Sequence, residues 1–463
     1  MYEHDTIAAV ATPPGQGGVA VIRISGPHAE AVARQVFVPA RLRERLLSHR
    51  LYFGQVIDPL TSQPLDQGLL ALMRAPRSYT GEDVAEIHCH GGGLLSSRIL
   101  TAVLSQGARL ALPGEFTKRA FLNGRLDLSQ AEAVLDLIQA KSEPGLQLAW
   151  EQLSGRLSGA CAAIRERLLS VTAYVEAFID FPEEDIPERA QTELEQDIAT
   201  LIAEIAALRA TFAQGKVYRE GMRTVIIGKT NVGKSSLLNL LAGTERAIVT
   251  PVPGTTRDVL EETLVVSGVP LVVWDTAGLR NTTDEVERIG VERARAGVRE
   301  AELVLAVFDA SRSLDEEDEA VCSEIVDKKA IPVLNKVDLP LAVSPADLET
   351  RLHCGAAVCL SAKYGTGLED LGAKIKEITL GTGLVHGQEQ TGGVLVSRAR
   401  HRDALAKAEQ SLQQAGASLQ EGLPLDLVAV DLRAALDHIG EITGHVSTED
   451  ILDRVFREFC IGK

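Results

Sequence analysis

A glycine-rich segment in the second half of the chain has the residue types and spacing that bind phosphate. Gly228-Lys-Thr-Asn-Val-Gly-Lys-Ser235 fits the pattern G-x-x-x-x-G-K-[ST], and it follows an apolar run and precedes a predicted helix over 236–241. The backbone N–H groups of such a loop and the N-terminus of its helix bind phosphate oxygens. Lys234 would then reach the β- and γ-phosphates, and the Ser235 hydroxyl would hold Mg²⁺.

Two later motifs, each at the end of a predicted strand, indicate which nucleotide is bound. Asp275-Thr-Ala-Gly278 would hold Mg²⁺ through water and meet the γ-phosphate. Asn335-Lys-Val-Asp338 ends in a carboxylate that can accept from N1–H and the 2-amino group of guanine, whereas adenine offers neither donor. Ser361-Ala-Lys363 supplies a turn behind the base. The order of these motifs predicts a domain that binds and hydrolyses GTP.

The predicted GTP-binding residues fall in five short segments. They are Asn231, Val232, Gly233, Lys234, Ser235 and Ser236; Thr250, Pro251, Val252, Pro253, Gly254, Thr255 and Thr256; Asp275, Thr276, Ala277 and Gly278; Asn335, Lys336, Val337 and Asp338; and Ser361, Ala362 and Lys363. Thr256, within Gly254-Thr-Thr-Arg-Asp258, is predicted to be the second protein ligand of Mg²⁺ beside Ser235.

The residue after the Asp-Thr-Ala-Gly motif is Leu279, whose side chain cannot hydrogen-bond to an attacking water. Small signalling GTPases have glutamine at this position. Either hydrolysis is therefore slow or another group orients the water. Three carboxylates follow closely, Asp284, Glu285 and Glu287, and carboxylates in such a segment also commonly form a solvated face.

The elements around these motifs predict a multidomain α/β and α+β chain. Short apolar runs at 224–227, 271–274, 303–308, 331–334 and 358–360 predict buried parallel strands alternating with helices. We predict an α+β domain over 1–120, helical segments over 121–217 and 384–463, and a Ras-like GTPase domain over 218–383. The simplest account inserts the GTPase domain into a helical domain whose two flanks pack together.

The charge of the chain is strongly acidic and unevenly spread. The chain has 463 residues, with 47 Lys and Arg against 64 Asp and Glu, a net charge of -17. Residues 1–120 contain 12 basic and 10 acidic residues, so the excess acid lies in the remainder. A chain of this composition has no overall basic face for nucleic acid, and RNA contact would need a local patch, a specific pocket or a partner's surface.

Cysteine usage and the N-terminus predict a cytoplasmic protein that does not span a membrane. The six cysteines form no C-x-x-C pair, which is typical of reduced thiols in the cytosol. In His88-Cys89-His90, neighbouring side chains of a strand would point to opposite faces, which disfavours a metal site. The first residues lack a basic n-region, and no apolar run approaches about 18 residues.

Motifs outside the nucleotide-binding segment resemble those of the MnmE (TrmE) family of bacterial tRNA-modification GTPases. They are Ala11-Thr-Pro-Pro-Gly-Gln-Gly-Gly18, Arg23-Ile-Ser-Gly26, Thr80-Gly-Glu-Asp83, Pro113-Gly-Glu-Phe116, Phe121-Leu-Asn-Gly-Arg-Leu-Asp127, Asp180-Phe-Pro-Glu-Glu-Asp185 and Cys460-Ile-Gly-Lys463. The resemblance implies a folate-binding-like N-terminal domain that makes a homodimer and a GTPase domain inserted in a helical domain. It also implies a heterotetramer with the FAD-dependent partner MnmG.

The same resemblance implies a reaction. With its partner, such a protein adds an aminomethyl or carboxymethylaminomethyl group to C5 of the wobble uridine in certain tRNAs. The carbon comes from a tetrahydrofolate donor, taken here as 5-formyl- or methylene-tetrahydrofolate. The GTPase is activated by K⁺ and by pairing with a second GTPase domain.

The resemblance also implies roles for individual residues. Asn231, Thr250, Val252 and Thr255 match the K⁺ ligands, Glu287 the carboxylate that orients water, and Arg23, Glu82, Arg125 and Lys463 the folate site. Cys460 matches a terminal cysteine suspected of a catalytic role, and it is equally consistent with a thiol that only packs. Two positions depart from the family pattern, since Thr230 replaces proline and Arg125 replaces lysine.

Two other classes of function remain. A switch GTPase in ribosome assembly would explain residues 222–380 but leaves the N-terminal motifs unused. A folate-dependent aminomethyl transferase with a passive GTPase would use those motifs without coupling them to GTP. Stoichiometric coupling of GTP turnover to modification would separate these classes.

Overall fold

The computed structural model describes residues 5–41, 45–180, 191–244, 262–274, 297–326, 328–352, 356–380, 393–446 and 448–463. The chain divides into two compact units, Met1–Leu135 with Asp437–Lys463, and Asp136–Leu436. The first unit therefore takes in residues on both sides of the boundary predicted at 120, and it also takes in the last part of the chain. None of the helices in these described ranges is both long and apolar enough to cross a lipid bilayer.

The strands and helices of the described residues are numbered in chain order. The strands are β1 (Ile7–Val10), β2 (Val19–Ser25), β3 (Phe37–Pro39), β4 (Arg50–Ile57), β5 (Pro64–Met73), β6 (Val84–His90), β7 (Arg109–Leu110), β8 (Met222–Ile227), β9 (Glu262–Val266), β10 (Val269–Val273), β11 (Leu303–Asp309), β12 (Ala330–Asn335) and β13 (Val358–Leu360). The helices are α1 (Ala29–Val36), α2 (Gly93–Leu104), α3 (Glu115–Leu122), α4 (Leu128–Gln139), α5 (Glu143–Leu153), α6 (Arg156–Asp180), α7 (Gln191–Ala210), α8 (Phe212–Glu220), α9 (Lys234–Thr244), α10 (Glu316–Ser323), α11 (Pro345–Leu352), α12 (Leu368–Leu380), α13 (Ala399–Gln420), α14 (Leu425–Thr443) and α15 (Glu449–Arg457).

The first unit is built on a seven-stranded sheet in the order β3-β4-β5-β6-β2-β1-β7. Alternation along β2 decides which side chains enter the core, since Ile22 and Ile24 are buried with α1 and α2 on one face. Arg23 and Ser25 consequently point to the other face, where Phe116 of α3 covers part of the sheet. This alternation places polar side chains of β2 and β6 on one surface.

The last residues of the chain return to the first unit. Helix α15 begins at the N-cap Thr448, and its buried Leu452 and Phe456 pack with Leu128 of α4. Gly462 then has φ +98°, and a Cβ there would lie 2.3 Å from the Val10 carbonyl oxygen, so this close approach requires glycine. Lys463 is thereby brought to the end of β1.

The second unit contains a six-stranded sheet in the order β13-β12-β11-β8-β10-β9. The strands β13, β12, β11, β8 and β10 pair with one another in parallel. They are the five strands expected from the apolar runs, so that prediction is confirmed. The sequence did not predict the antiparallel edge strand β9. Continuous apolar strands such as β11 are buried on both faces, as expected for parallel strands covered by helices. The carboxyl ends of β8, β12 and β13 carry the motifs Gly228–Ser235, Asn335–Asp338 and Ser361–Lys363.

The helices before and after this sheet pack on each other within the second unit. α7 and α13 lie side by side, and the Arg209 Nε donates to Glu409 Oε2 at 2.8 Å. Gln191 of α7 donates to the Leu419 carbonyl of α13 at 3.0 Å. The helical segments that precede and follow the sheet in sequence therefore contribute to one packed layer.

Candidate functional sites

The predicted phosphate-binding loop joins β8 to α9. Gly228 has φ +144°, and a Cβ there would lie 2.3 Å from the Val307 carbonyl oxygen, so the loop can leave β8 only through glycine. Asn231 also has a positive φ of 62°. The Lys234 Nζ donates to the carbonyls of Gly228 and Lys229 at 2.8 and 2.6 Å. Lys234 thus lies over the loop from the first turn of α9, with Ser235 and Ser236 following it.

The Asn335–Asp338 motif holds the phosphate-binding loop in place. The Asn335 Nδ2 donates to the Val232 carbonyl at 2.8 Å, and its Oδ1 accepts from the Ala362 N–H at 2.9 Å. The Lys336 Nζ donates to the Asn231 carbonyl at 2.7 Å. The three predicted segments around residues 231, 335 and 362 are therefore brought together in one hydrogen-bonded assembly.

The carboxylate predicted to read the base lies beside the Ser361–Lys363 turn. The Ser361 Oγ donates to Asp338 Oδ1 at 2.7 Å, which fixes the plane of the carboxylate. The Lys363 ammonium lies 4.9 Å from the centre of the Tyr364 ring. The turn thus orients the Asp338 carboxylate. An oriented carboxylate is what acceptance from the two N–H donors of guanine requires.

Sequence reasoning missed Asp309, the last residue of β11. The Lys336 Nζ lies 2.6 Å from Asp309 Oδ2, and the Ser311 hydroxyl donates to Oδ1 at 2.7 Å. Burial acts to raise the pKa of Asp309, but these two partners outweigh it and hold that pKa below its ordinary value. An anionic Asp309 orients Lys336 toward the loop. The signal in the sequence that could have identified Asp309 was an acidic residue at the end of a predicted buried strand.

A second missed contact anchors the other end of the loop. The Lys229 Nζ lies 2.6 Å from Asp315 Oδ2 and 2.7 Å from Asp318 Oδ2. Asp318 is buried, and with Asp315 it forms the capping box that begins α10. Lys229 therefore connects the phosphate-binding loop to the N-terminus of α10.

Replacing Lys229 tests whether this anchor affects nucleotide binding. Lys229→Met keeps the length of the side chain but leaves Asp318 buried without its cation, so we expect GTP affinity to fall about 5- to 10-fold. Lys229→Arg should restore most of the loss because the guanidinium reaches both carboxylates. Titration with a fluorescent GTP analogue measures this, with Lys374→Met in α12 as a surface control. Equal affinity in both methionine variants would remove Lys229 from the site.

Other predicted residues lie outside the part of the chain that the structure describes. They are Thr250, Pro251, Val252, Pro253, Gly254, Thr255, Thr256, Asp275, Thr276, Ala277, Gly278 and Glu287. Their predicted roles rest on the sequence.

In the first unit, Arg23 lies at the centre of a polar surface on the sheet. Its Nε donates to Glu86 Oε1 on β6 at 2.8 Å. Its guanidinium lies 5.3 Å from the centre of the Tyr79 ring and 5.7 Å from that of Phe116. Both Arg23 and Glu86 retain 17% side-chain exposure, so they remain accessible from one side.

The Glu86 carboxylate stays ionised over the physiological pH range. The His88 Nε2 lies 3.6 Å from Glu86 Oε2 and is the largest cause that lowers the pKa of Glu86 to about 2, with Arg23 adding to it. Burial opposes this shift. Glu86 is thus a permanent acceptor in a site that is otherwise cationic.

Lys463 joins this surface from the far end of the chain. Its main-chain oxygen accepts from the Phe116 N–H at 3.2 Å, and burial and the Arg23 guanidinium lower the pKa of its side chain. Cys460 is exposed and free, and its carbonyl accepts from the Gly114 N–H at 3.4 Å. Arg23 and Lys463, both predicted from the sequence, are therefore brought together, with Cys460 nearby.

Glu82, also predicted for the folate site, makes ion-pair contacts inside the first unit. The Ser25 hydroxyl donates to Glu82 Oε2 at 2.7 Å, and the Arg119 Nη1 lies 3.2 Å from the same oxygen. Arg119 is only 2% exposed and also pairs with Asp5, so Glu82 completes an internal ion network. The acidic residue beside Arg23 and Lys463 is Glu86, four positions later. Sequence spacing could not separate the two, whereas the pairing of β2 with β6 does.

Arg125, the fourth predicted residue of this site, lies on the surface beside the loop that carries Glu82. Its Cγ is 3.2 Å from where a Cβ on Gly81 would lie, and its side chain is exposed. Arg125 therefore lies at the border of this polar surface. It makes no contact with a carboxylate of the described residues.

Comparisons with known proteins match the chain in two parts. A family model for the TrmE N-terminus of a GTP-binding protein matches residues 6–125, and one for the MnmE helical domain matches residues 128–460. The tRNA modification GTPase MnmE of Moorella thermoacetica is 47% identical, with 99% of each chain covered. The protein of that name from Chloroflexus aurantiacus is 50% identical over 99% of this chain and 100% of its own.

Among solved structures, one of Aquifex aeolicus Era bound to GDP and tetrafluoroaluminate is 25% identical, covers 42% of this chain and 67% of that one, and has a TM-score of 0.27. The family models together span nearly the whole sequence, and relatives at 47% and 50% identity match it from end to end. The chain belongs to the MnmE family of tRNA modification GTPases.

Proposed function

We propose that this chain is a K⁺-activated GTPase that, with an FAD-dependent partner, adds an aminomethyl or carboxymethylaminomethyl group to C5 of the wobble uridine in certain tRNAs. Hydrolysis of GTP and participation in tRNA modification follow from the family. The finer chemistry rests chiefly on one observation, the meeting of Arg23, Glu86 and Lys463 on the first unit. A GTPase that acts only as a switch has no need of that surface.

The second unit supplies the groups for GTP hydrolysis. Asp338 accepts from guanine, the loop N–H groups and Lys234 bind the phosphates, and Ser235 with Thr256 would hold Mg²⁺. Glu287 would orient the attacking water, the role for which Leu279 has no suitable atom. Lys234 neutralises charge that develops on the β–γ bridging oxygen as that bond breaks.

The loop also fits a K⁺ ligand. Lys336 holds the Asn231 carbonyl, while the Asn231 side chain is exposed, so its amide oxygen can act as a ligand. Oxygens of Thr250, Val252 and Thr255 would complete the set. A K⁺ held by these oxygens would supply positive charge to the phosphates, as an arginine finger does.

Exchange of the cation tests this assignment. We expect GTP turnover to be at least about tenfold faster in KCl than in NaCl at equal ionic strength, because Na⁺ is too small to contact all these oxygens. Asn231→Ala should abolish the difference while leaving binding of a GTP analogue nearly unchanged. The measurement is phosphate release in matched salts. Equal wild-type rates in the two salts would eliminate K⁺ from the mechanism.

Glu287→Ala separates water positioning from the cation effect. We expect this variant to bind GTP normally and to hydrolyse it about 100-fold more slowly, the usual scale for losing a group that positions a reactant. Glu285→Ala is the matched control two residues away. A wild-type rate in Glu287→Ala would assign the water to another group.

We propose that the polar surface of the first unit binds a tetrahydrofolate one-carbon donor, such as the 5-formyl or methylene form. Arg23, Lys463 and Arg125 are cations suited to the carboxylates and carbonyls of a folate. Glu86 offers the acceptor for the N–H edge of the pterin, in the role first assigned to Glu82. Cys460 lies close to Lys463 and is the exposed nucleophile of this region, so we assign it a part in the modification chemistry.

The first unit also supports a homodimer. Leu51 and Phe53 of β4 are 60% and 58% exposed and point away from the core on the same face. Large apolar side chains side by side on a sheet are characteristic of an interface. A second copy of this chain would cover them, and the complete assembly would be a heterotetramer with the FAD-dependent partner in the cytoplasm.

We further propose that the GTPase domain, 218–383, is inserted into a helical domain formed by 121–217 and 384–463. The chain segments on either side of the GTPase domain are fastened together within the second unit. Arg219 and Arg398 both donate to Asp136 Oδ1, at 3.0 and 2.7 Å. Movements of the GTPase domain would thereby be transmitted to the helices as a unit.

A switch GTPase for ribosome assembly remains the alternative. The decisive experiment is nucleoside analysis of tRNA from a strain lacking this protein. Loss of C5-modified wobble uridine, restored by the wild-type gene, supports tRNA modification. Normal uridine modification with accumulated ribosome precursors would support the alternative.

A further inference from the structure

Positive charge is concentrated in two segments of this acidic chain. Residues 31–57 and 67–81 together contain seven arginines and a single acidic residue, Glu44, whereas the whole chain carries a net charge of -17. The seven are Arg34, Arg41, Arg43, Arg45, Arg50, Arg74 and Arg77. A local excess of this kind is what RNA contact requires in a chain without an overall basic face.

The fold of the first unit brings the two segments together. Arg50 begins β4 and pairs with Leu72 near the end of β5, and the His49 N–H donates to the Leu72 carbonyl at 2.6 Å. The Arg77 N–H donates to the Arg74 carbonyl at 3.0 Å, which forms a turn directly after β5. Arg45, Arg50 and Arg77 therefore lie at one end of the sheet.

Hydrogen bonds join the two segments at this end of the sheet. Leu46 is fully buried, and the Leu47 N–H donates to the Tyr52 hydroxyl at 2.6 Å. The Arg74 Nη2 donates to the Leu46 carbonyl at 3.0 Å and to Glu30 at 2.6 Å, while its N–H donates to the Ser48 hydroxyl at 3.0 Å. Arg74 thus acts as a structural tie between the two segments.

Within the described part of the chain, no ion pair is made by the arginines that surround this tie. Arg41, Arg45, Arg50 and Arg77 are exposed, and no carboxylate among the described residues lies within salt-bridge distance of them. Two acidic groups lie nearby, Glu30, which pairs with Arg34 and Arg74, and Asp83, which accepts from the Ala75 N–H at 2.8 Å. Arg50 lies on the opposite face of β4 from Leu51, so a dimer formed through Leu51 leaves it accessible.

We propose that Arg41, Arg45, Arg50 and Arg77 form a surface that binds the phosphodiester backbone of tRNA. Guanidinium groups donate two parallel hydrogen bonds to phosphate, which suits exposed arginines to a phosphodiester backbone. The contacts are to phosphates, so they position the RNA without reading its sequence. This inference rests on the proposed function in tRNA modification, for which it supplies the substrate-binding surface.

Charge removal on the full-length chain tests the surface. The triple variant Arg45→Gln, Arg50→Gln, Arg77→Gln should bind total tRNA about tenfold or more weakly at 100 mM KCl, and the slope of log K against log salt should fall by about 0.7 to 0.9 for each contact removed. The control is a second triple variant that removes the same charge from exposed sites elsewhere: Arg299→Gln, Arg454→Gln, Arg457→Gln. It should leave the tRNA affinity and the salt slope close to wild type.

Three results would overturn the inference. The first is an equal loss of tRNA affinity in the two triple variants, and the second is absence of tRNA binding by the wild-type chain at low salt. The third is that the Arg45, Arg50 and Arg77 variant loses binding to phosphatidylglycerol vesicles but keeps binding to tRNA. GTP turnover measured in the same samples should be wild type in both triples. Failure of the wild-type chain to hydrolyse GTP would count against the proposed function and leave the RNA measurement to be judged by itself.

Discussion

Asp338→Asn is expected to weaken GTP binding by about 2–4 kcal/mol, since two charge-assisted hydrogen bonds to guanine are replaced by an amide that presents a donor to a donor. The Ser361 hydroxyl holds the side chain in the same plane in either form. The variant should favour xanthosine triphosphate, whose 2-oxo group accepts from the new amide. Calorimetric titration with both nucleotides measures the change.

Asp370→Asn, at an exposed position in the first turn of α12, is the matched control and should keep the wild-type preference for GTP. Unchanged GTP affinity in Asp338→Asn would show that another group reads the base. Turnover of xanthosine triphosphate by the variant, at a rate near that of wild type with GTP, would show that the change is confined to recognition.

Deletion of residues 460–463 should abolish wobble-uridine modification in vivo while sparing GTP binding, because the nucleotide-binding residues all lie in the second unit. Arg23→Ala should weaken binding of 5-formyl-tetrahydrofolate by about 1.5–3 kcal/mol, the range for a lost charged hydrogen bond. Calorimetric titration with the folate, together with chromatography of tRNA nucleosides, measures both effects. Normal modification in the deletion strain, or no folate heat in the wild type, would show that the first unit has another role.

A comparison of two glutamates sharpens this prediction. Glu86→Gln should lose folate affinity, because the carboxylate beside Arg23 is the proposed acceptor for the pterin. Glu82→Gln should instead lower the melting temperature, because it leaves the buried Arg119 with one carboxylate fewer. The reverse pattern would restore the first assignment.

Most of the nucleotide site could be predicted from the sequence because its residues are close neighbours in short motifs. Gly228–Ser235 and Asn335–Asp338 each follow a buried strand, so the parallel sheet alone brings them to one edge. The contacts that depend on distant residues could not be predicted. Asp309 and Asp318 meet Lys336 and Lys229 only because β11 lies between β8 and β12.

The site of the first unit was harder to predict for a related reason. Glu82 and Glu86 sit in one short stretch of sequence, and both could have been the acceptor. Strand pairing places Arg23 opposite Glu86, while the turn before β6 directs Glu82 to Arg119. The basic surface of the first unit was not predicted from the sequence. Which arginines are exposed depends on the fold, because Arg74 forms internal contacts with Glu30 and the Leu46 carbonyl.

The bonds from Asn335 to Val232 and from Lys336 to Asn231 have a practical consequence for engineering nucleotide specificity. Substitutions at these two positions would weaken phosphate binding as well as change base recognition. A library that varies the whole motif would therefore return mostly inactive proteins. Among the described residues, Asp338 hydrogen-bonds to Ser361 in the turn and not to the phosphate-binding loop. An allele responsive to an artificial nucleotide in living cells should therefore be built from that one position, with its two neighbours left unchanged.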